Sequence, residues 1–253
     1  MNIVQTVILS IVEGITEFLP ISSTGHLILA SELLKIQQTE FIKSFEIIIQ
    51  LGAILAVVVI YFKKLVLSLN FELYKKILIS FLPSTVFGLL LYKLIKTYLI
   101  GNSWVVVLSL LIGGVAMILF EKIHRHKERK LNYLSYLYIG LFQVLSMIPG
   151  VSRAFATIFG GMVVGMKREE ATEFSFFLAI PTMAAASLLD LIKTDTSVWT
   201  SSNLGTLAIG FIGSFITAYI VVKWLIIFVK INNFNIFGWY RIGLAVLFVI
   251  YLS

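Results

Sequence analysis

Glu13-Gly14-Ile15-Thr16-Glu17-Phe18-Leu19-Pro20-Ile21-Ser22-Ser23-Thr24-Gly25-His26 puts two carboxylates, a proline, a run of hydroxyls and a histidine inside the first apolar stretch of the chain. A second polar interruption comes much later, in Pro149-Gly150-Val151-Ser152-Arg153-Ala154-Phe155-Ala156-Thr157. An ionisable group at membrane depth costs a few kcal/mol or more, so it marks a functional site by default. Two interruptions of complementary charge suggest one polar site assembled from both halves of the chain.

The surrounding composition is that of an integral membrane protein. Of 253 residues, 59% are hydrophobic and only 13% are charged. A soluble domain carries roughly 25% charged residues. Apolar runs of about 20 residues recur from end to end, enough to cross a hydrocarbon core of roughly 30 Å. A cleaved signal peptide is not expected, because the first run holds Glu13 and Glu17 and lacks a small-residue cleavage pattern. With no cysteine, disulfides and thiolate metal sites are excluded. The net charge of +7 sits in short loops between apolar runs, as expected for a membrane protein rather than a nucleic-acid binder.

Six full crossings are expected, at about 45–62, 77–94, 105–120, 174–192, 204–222 and 234–252. Two broken stretches remain, roughly 1–30 and 133–166. Each could cross once or form a re-entrant pair of half-helices. Charge separates the two cases. With both re-entrant and the basic loop 121–130 in the cytoplasm, 13 Lys and Arg lie inside: Lys63, Lys64, Lys75, Lys76, Lys122, Arg125, Lys127, Arg129, Lys130, Lys167, Arg168, Lys223 and Lys230. Five lie outside: Lys35, Lys43, Lys93, Lys96 and Lys193. A single crossing by the second stretch would give 10 inside and 8 outside, a weaker bias. The re-entrant arrangement fits the positive-inside rule better.

The expected fold is therefore an all-α polytopic membrane protein, built as a re-entrant helical hairpin plus three transmembrane helices, twice. It forms one integral membrane domain over 1–253, with repeat one at about 1–120, the basic loop at 121–130 and repeat two at about 131–253. The halves are inverted. Pro20-Ile21-Ser22-Ser23 matches Pro149-Gly150-Val151-Ser152 at the proline and the last serine, and Phe45 and Ala53 fall at distances comparable to Phe174 and Pro181. Interrupted segments at corresponding positions point to a binding site at the repeat interface. Irregular backbone at that depth needs protein or a water-filled cavity around it.

The residue types suggest phosphate chemistry. Glu13 and Glu17 are one helical turn apart and share a face. Two carboxylates this close in a dry place need a proton or a cation between them. Mg²⁺ or Ca²⁺ prefers such oxygens, and Mg²⁺ often links carboxylates to substrate phosphates. The plainer alternative is a pair at a wet segment end; their depth and nearby His26 argue against it. Pro20 ends the first helix, and Ser23 or Thr24 caps the next. His26, one turn in, is a candidate acid or base, or else a packed histidine. Ser152 reads as an N-cap, with Arg153 and Thr157 four apart on the helix it starts. Free N–H groups there favour an anion, and a guanidinium can grip a phosphate with two hydrogen bonds. Arg153 could also simply neutralise Glu13 or Glu17. Phosphoryl transfer needs mainly positioning and charge neutralisation, and a site in the bilayer implies a substrate with a lipid tail. Glu46, Glu173 and Asp190 read as interfacial, and Arg241 as a snorkelling arginine near a helix end.

These residues resemble the bacterial undecaprenyl-diphosphatases of the bacitracin-resistance type over nearly the whole length. The resemblance rests on Glu13-x-x-x-Glu17, on Pro20-Ile21-Ser22-Ser23-Thr24-Gly25-His26-Leu27, and on Pro149-Gly150-Val151-Ser152-Arg153. It implies hydrolysis of undecaprenyl diphosphate to the monophosphate carrier used in peptidoglycan synthesis, dependence on Mg²⁺ or Ca²⁺, a homodimer and no nucleic-acid partner. It also implies a site open to the outer face of the bacterial cytoplasmic membrane. By that pattern Glu13 and Glu17 bind metal or serve acid–base roles, Ser23 and His26 lie at the scissile phosphate, and Arg153 holds the diphosphate. Ser22, Thr24, Gly150, Ser152 and Thr157 would support substrate binding. The family usually continues Ser-Arg-Ser-Gly-Ala-Thr; here Ala154 and Phe155 depart from it.

Two other readings compete. A lipid-phosphatase family related to vanadium haloperoxidases needs an Arg-Pro pair and a His after its Ser-Arg, and this chain has neither. An inverted repeat with broken helices is also transporter architecture, so the chain could flip a polyprenyl phosphate. The clustered Ser23 and His26 favour chemistry.

Overall fold

Every regular element among the described residues of the computed structural model is helical; those residues are 1–94, 103–124 and 129–252. Ten α-helices follow in order: α1 Ile3–Thr16, α2 Ser23–Leu33, α3 Glu40–Ile60, α4 Phe71–Leu94, α5 Ser103–Ile123, α6 Tyr133–Val144, α7 Arg153–Val164, α8 Arg168–Lys193, α9 Ser201–Ile231 and α10 Asn235–Leu252. Six of them, α3, α4, α5, α8, α9 and α10, are long and apolar enough to span a bilayer, and each expected crossing overlaps one. Of the basic loop, residues 125–128 lie outside the described residues, as does Lys96.

The other four helices are too short to cross alone. α1 has 14 residues, α2 11, α6 12 and α7 12, so the longest spans only about 21 Å at 1.5 Å per residue. Each pair doubles back on itself. Gln5, near the start of α1, donates its amide to the carbonyl of Leu34 just past α2, at 3.1 Å. In the second pair, Gly165 after α7 lies against Arg129 before α6. The entry of each pair is set by its cap. Asn2 and Gln5 bond each other's backbone N–H groups, both at 2.9 Å. Asn132 and Ser135 do the same at the start of α6. Such reciprocal caps satisfy N–H groups that a helix start leaves without partners.

The chain groups into two compact units, each drawing on both halves of the sequence. The first comprises Met1–Phe18, His26–Leu69 and Ala179–Trp224. Its core holds Leu9, Leu27, Phe41, Ile42, Phe45 and Ile49. Hydroxyls bind α3 to its neighbours: Ser214 donates to the Ile49 carbonyl at 2.7 Å, Ser187 to the Ile47 carbonyl at 3.2 Å, and Ser44 pairs with Thr194 at 2.9 Å. Gly52 lets α9 approach α3 closely; a Cβ there would lie 2.3 Å from the Phe211 carbonyl oxygen. Small residues at such contacts are how membrane helices gain packing energy without a hydrophobic driving force. Glu46, expected at an interface, lies inside α3 because that helix begins at Glu40. It accepts a hydrogen bond from Ser31 at 2.8 Å.

The second unit comprises Leu19–Gly25, Asn70–Leu178 and Leu225–Ser253. In it α5 packs on α10, α4 on α6, and α6 on α7. Ser80 donates to the Tyr136 carbonyl at 2.7 Å, and Gln143 donates to Ser84 at 2.6 Å. Arg168 and Glu121 form an ion pair at 2.7 Å, and Glu121 also accepts the Phe234 N–H at 3.0 Å, capping the start of α10. Phe155, Phe159 and Phe234 stack in series, with centroid distances of 4.5 and 5.8 Å.

In detergent, Gly52→Ala should lower stability by about 1–3 kcal/mol through overpacking. Gly205→Ala, with nothing within 4 Å of the added Cβ, should leave the melting temperature within error. Equal melting temperatures for the two variants would refute the close approach of α9 to α3.

Candidate functional site

The two broken hairpins turn through elbows of the same design. α1 stops at Thr16, and the Glu17 N–H closes its last turn on the Glu13 carbonyl at 3.0 Å. Both carboxylates are buried, Glu13 at 0% exposure and Glu17 at 6%. They occupy the end of a helix, where the backbone dipole is negative, and no basic residue lies in that last turn. Helix end and carboxylates thus add to one another in negative charge. Among the described residues no group of three or more His, Cys, Asp and Glu gathers to hold a metal. Glu13 and Glu17 are the carboxylates of this turn, and oxygen donors of this kind are what a hard divalent ion prefers.

The chain then turns through Pro20 and Ile21 to Ser22, which has φ of 75°. Its hydroxyl accepts the Gly25 N–H at 3.4 Å, at the cap position of α2. The second elbow ends on Ser152, also at φ 75°, whose hydroxyl accepts the Phe155 N–H at 3.2 Å. A serine in this region of backbone space is sterically disfavoured, and such strain gathers at functional sites. The pairing of the elbows differs from the sequence match by one residue. Ser22, not Ser23 or Thr24, stands where Ser152 stands, because two residues separate proline from serine in the second elbow and one in the first. Ser23 thus pairs with Arg153 as the first residue of its helix.

Behind the second elbow, Arg153 is held by α8. Its Nη1 donates to the Ser175 carbonyl at 3.0 Å and to the Ser175 hydroxyl at 3.3 Å. Thr157 donates to the Arg153 carbonyl at 2.9 Å and pairs with the Ser175 hydroxyl at 2.6 Å. Arg153 and Thr157 are therefore one turn apart on α7 and share Ser175. Ser175, absent from the sequence-level site, was hidden among apolar neighbours; only its position on the buried face of α8 could have flagged it. Ala154 is fully buried and needs no hydrogen-bond partner where the family pattern carries a hydroxyl. Of the remaining candidates, Ser23 is half-buried, Thr24 is exposed, and His26 lies in the first turn of α2 at 9% exposure.

Arg241 is misread from sequence as snorkelling. α10 begins at Asn235, so Arg241 falls two turns in and is 0% exposed. Its guanidinium donates to the carbonyls of Pro20 (3.2 Å), Gly150 (2.9 Å), Val151 (2.9 Å), Ser109 (2.9 Å) and Leu110 (3.4 Å). Both elbows are thus held by one side chain.

Six helices long and apolar enough to span a bilayer define a multi-pass membrane protein. Residues 6–247 match the family described as bacitracin resistance protein BacA, and the chain belongs to that family. It is 52% identical over 250 residues to a protein of Aquifex aeolicus named undecaprenyl-diphosphatase, covering 96% of each chain. Proteins of the same name from a Sulfurihydrogenibium species and from Wolinella succinogenes are 48% and 45% identical. The first of these comparisons covers 99% of this chain and 100% of the relative, the second 100% and 99%.

Because Ser152 combines strain with a cap, its substitutions should separate the two. Ser152→Gly relieves the strain and, at a cap, costs only a few tenths of a kcal/mol. Ser152→Ala keeps the strain and loses the cap, for about 1 kcal/mol. Thermal unfolding should therefore rank glycine at or above wild type and alanine below; the reverse order would exclude the φ of 75° in the folded protein.

Proposed function

We propose that this chain hydrolyses undecaprenyl diphosphate to undecaprenyl phosphate and inorganic phosphate, as the relatives' printed names indicate for them. The observation that carries this reading is the joining of two serine-capped helix starts, one bearing Arg153, through the shared guanidinium of Arg241. Helix N-termini and arginine suit an anion, and phosphoryl transfer asks for little else than placement and charge neutralisation.

In the proposed reaction Arg153, with Ser152 and Thr157 around it, holds the diphosphate. The Ser22, Ser23, Thr24 and Gly150 positions border the phosphoryl group. An oxygen nucleophile, either the Ser23 hydroxyl or a water, forms a bond to the terminal phosphorus as the bond to the bridging oxygen breaks. His26 takes the nucleophile's proton, and the lipid leaves as its monophosphate. Water attack gives inorganic phosphate directly, whereas attack by Ser23 leaves a phosphoserine whose phosphorus a water then attacks, releasing inorganic phosphate and restoring the hydroxyl. Glu13 and Glu17 would hold a divalent cation, Mg²⁺ or Ca²⁺, which when bound would supply neutralising positive charge.

The fold proposed for this activity is one integral domain with an inverted repeat, halves at about 1–120 and 131–253. The doubling back of α1–α2 and of α6–α7 supports re-entrant hairpins, as does the shortness of all four helices. The site would open to the outer face of the bacterial cytoplasmic membrane, where the carrier is recycled for peptidoglycan synthesis and bacitracin acts. A homodimer is the proposed assembly.

Purified protein in detergent should release phosphate from a polyprenyl diphosphate. Without leaflets a pure flippase would release none, so its absence would favour the transporter. Glu13→Ala, Glu17→Ala, His26→Ala and Arg153→Ala should each lower turnover at least ~100-fold, the scale of losing one charge-stabilising group. EDTA should abolish activity and Mg²⁺ or Ca²⁺ restore it; full turnover without divalent ions would remove the cation from the scheme. Rapid quench at neutral pH in detergent should trap a phospho-enzyme on Ser23 if its hydroxyl attacks and none if water does; a phosphorylated His26 would instead make the imidazole the nucleophile.

A further inference from the structure

Arg241 has no place in the chemistry described above, yet its setting is unusually demanding. The guanidinium carries five N–H donors. Nε reaches Leu110, Nη1 reaches Pro20 and Val151, and Nη2 reaches Ser109 and Gly150, so all five donors end on backbone carbonyls. Among the described residues no carboxylate is one of its hydrogen-bond partners. A buried charge answered only by dipoles is costly to remove from water and tolerable only with every donor satisfied. The helix beneath it is shaped for it. A Cβ on Gly113 would lie 2.2 Å from Nη2 and 2.7 Å from Cζ. The Phe155 ring closes the other side, 5.0 Å from Cζ, and Phe155 supplies the N–H that Ser152 caps.

These contacts fix more than helix packing. Pro20 precedes Ser22 and Ser23 by two and three residues; Gly150 and Val151 precede Arg153 by three and two. In a trans peptide the carbonyl and the following N–H point in opposite directions. Holding the Val151 carbonyl therefore turns the Ser152 N–H away from Arg241. We infer that Arg241 is a positioning residue for the phosphate site: it ties the two elbows at one separation and orients the peptide planes beside Ser23 and Arg153. It touches no substrate itself. This inference rests on the diphosphatase reading and extends it to a residue of α10.

Arg241→Lys keeps the charge but cannot span five carbonyls from one nitrogen. Gly113→Ala keeps the arginine and displaces its head. In the full-length protein in detergent, each should lower kcat for a polyprenyl diphosphate ~100-fold, the cost of a small misplacement, with KM changed less than ~3-fold. In an Arg153→Ala background the same Arg241→Lys change should cost less than ~10-fold, because residues acting through one another are not additive. A full ~100-fold loss in both backgrounds, or a KM effect alone, would make Arg241 a purely structural element and overturn the proposal. If Arg241→Lys does not fold, Gly113→Ala alone decides by the same criteria. If neither folds, the contact is structural and the proposal is overturned. Should wild type release no phosphate, the hydrolase reading fails separately. Hydrogen exchange at the Phe155 N–H capped by Ser152 then decides for Arg241: at least ~10-fold faster exchange in the folded variants upholds positioning of the elbow, and unchanged exchange overturns it.

Discussion

One guanidinium bonded to five backbone carbonyls holds the site-bearing unit together. Each of the two elbows would otherwise present bare carbonyl oxygens to an apolar interior, and an unpaired carbonyl there costs a few kcal/mol. Arg241 answers Pro20 from the first elbow and Gly150 and Val151 from the second with the same planar group. The irregular backbone at both breaks can therefore exist inside a helical membrane protein, where such segments survive only when protein or water surrounds them. The close contact of α5 with α10, the missing side chain at Gly113 and the ring of Phe155 all follow from seating that group.

Helix polarity then sorts the chemistry. α1 ends at its negative pole, and there the chain puts Glu13 and Glu17. α2 and α7 begin at their positive poles, and there it puts Ser22 and Ser152 as caps, with Ser23 and Arg153 as first residues. Carboxylates at a helix end want a cation, and helix starts with free N–H groups want an anion. The sequence thus separates the two demands by placing a proline or a proline–glycine pair between one helix and the next.

Much of this was readable from residues. Six apolar runs announced the six long helices, since length and hydropathy decide that without tertiary information. Pro20 and Pro149 marked both breaks, and Ser152 was recognisable as a cap. The register of the first cap was not. A serine at φ 75° leaves no trace in composition, and Ser22 and Ser23 are the same residue type side by side. Arg241 was misjudged for a related reason. Distance from a helix end suggests snorkelling, but whether a guanidinium finds carbonyls depends on segments 90 or more residues away in sequence. Ser175 was hidden because one hydroxyl in Phe174-Ser175-Phe176-Phe177 looks like filler until α7 is laid beside it.

The five acceptors of Arg241 are all main-chain oxygens, and every amino acid has one. Side chains at 20, 109, 110, 150 and 151 may therefore drift as far as local backbone shape allows without loosening the grip. The burden of sequence identity falls instead on two distant places, the arginine itself and the bare Cα of Gly113. A lone change at either has no compensating partner at the other, so this junction resists gradual exchange far more than an ordinary ion pair, whose two charges can swap.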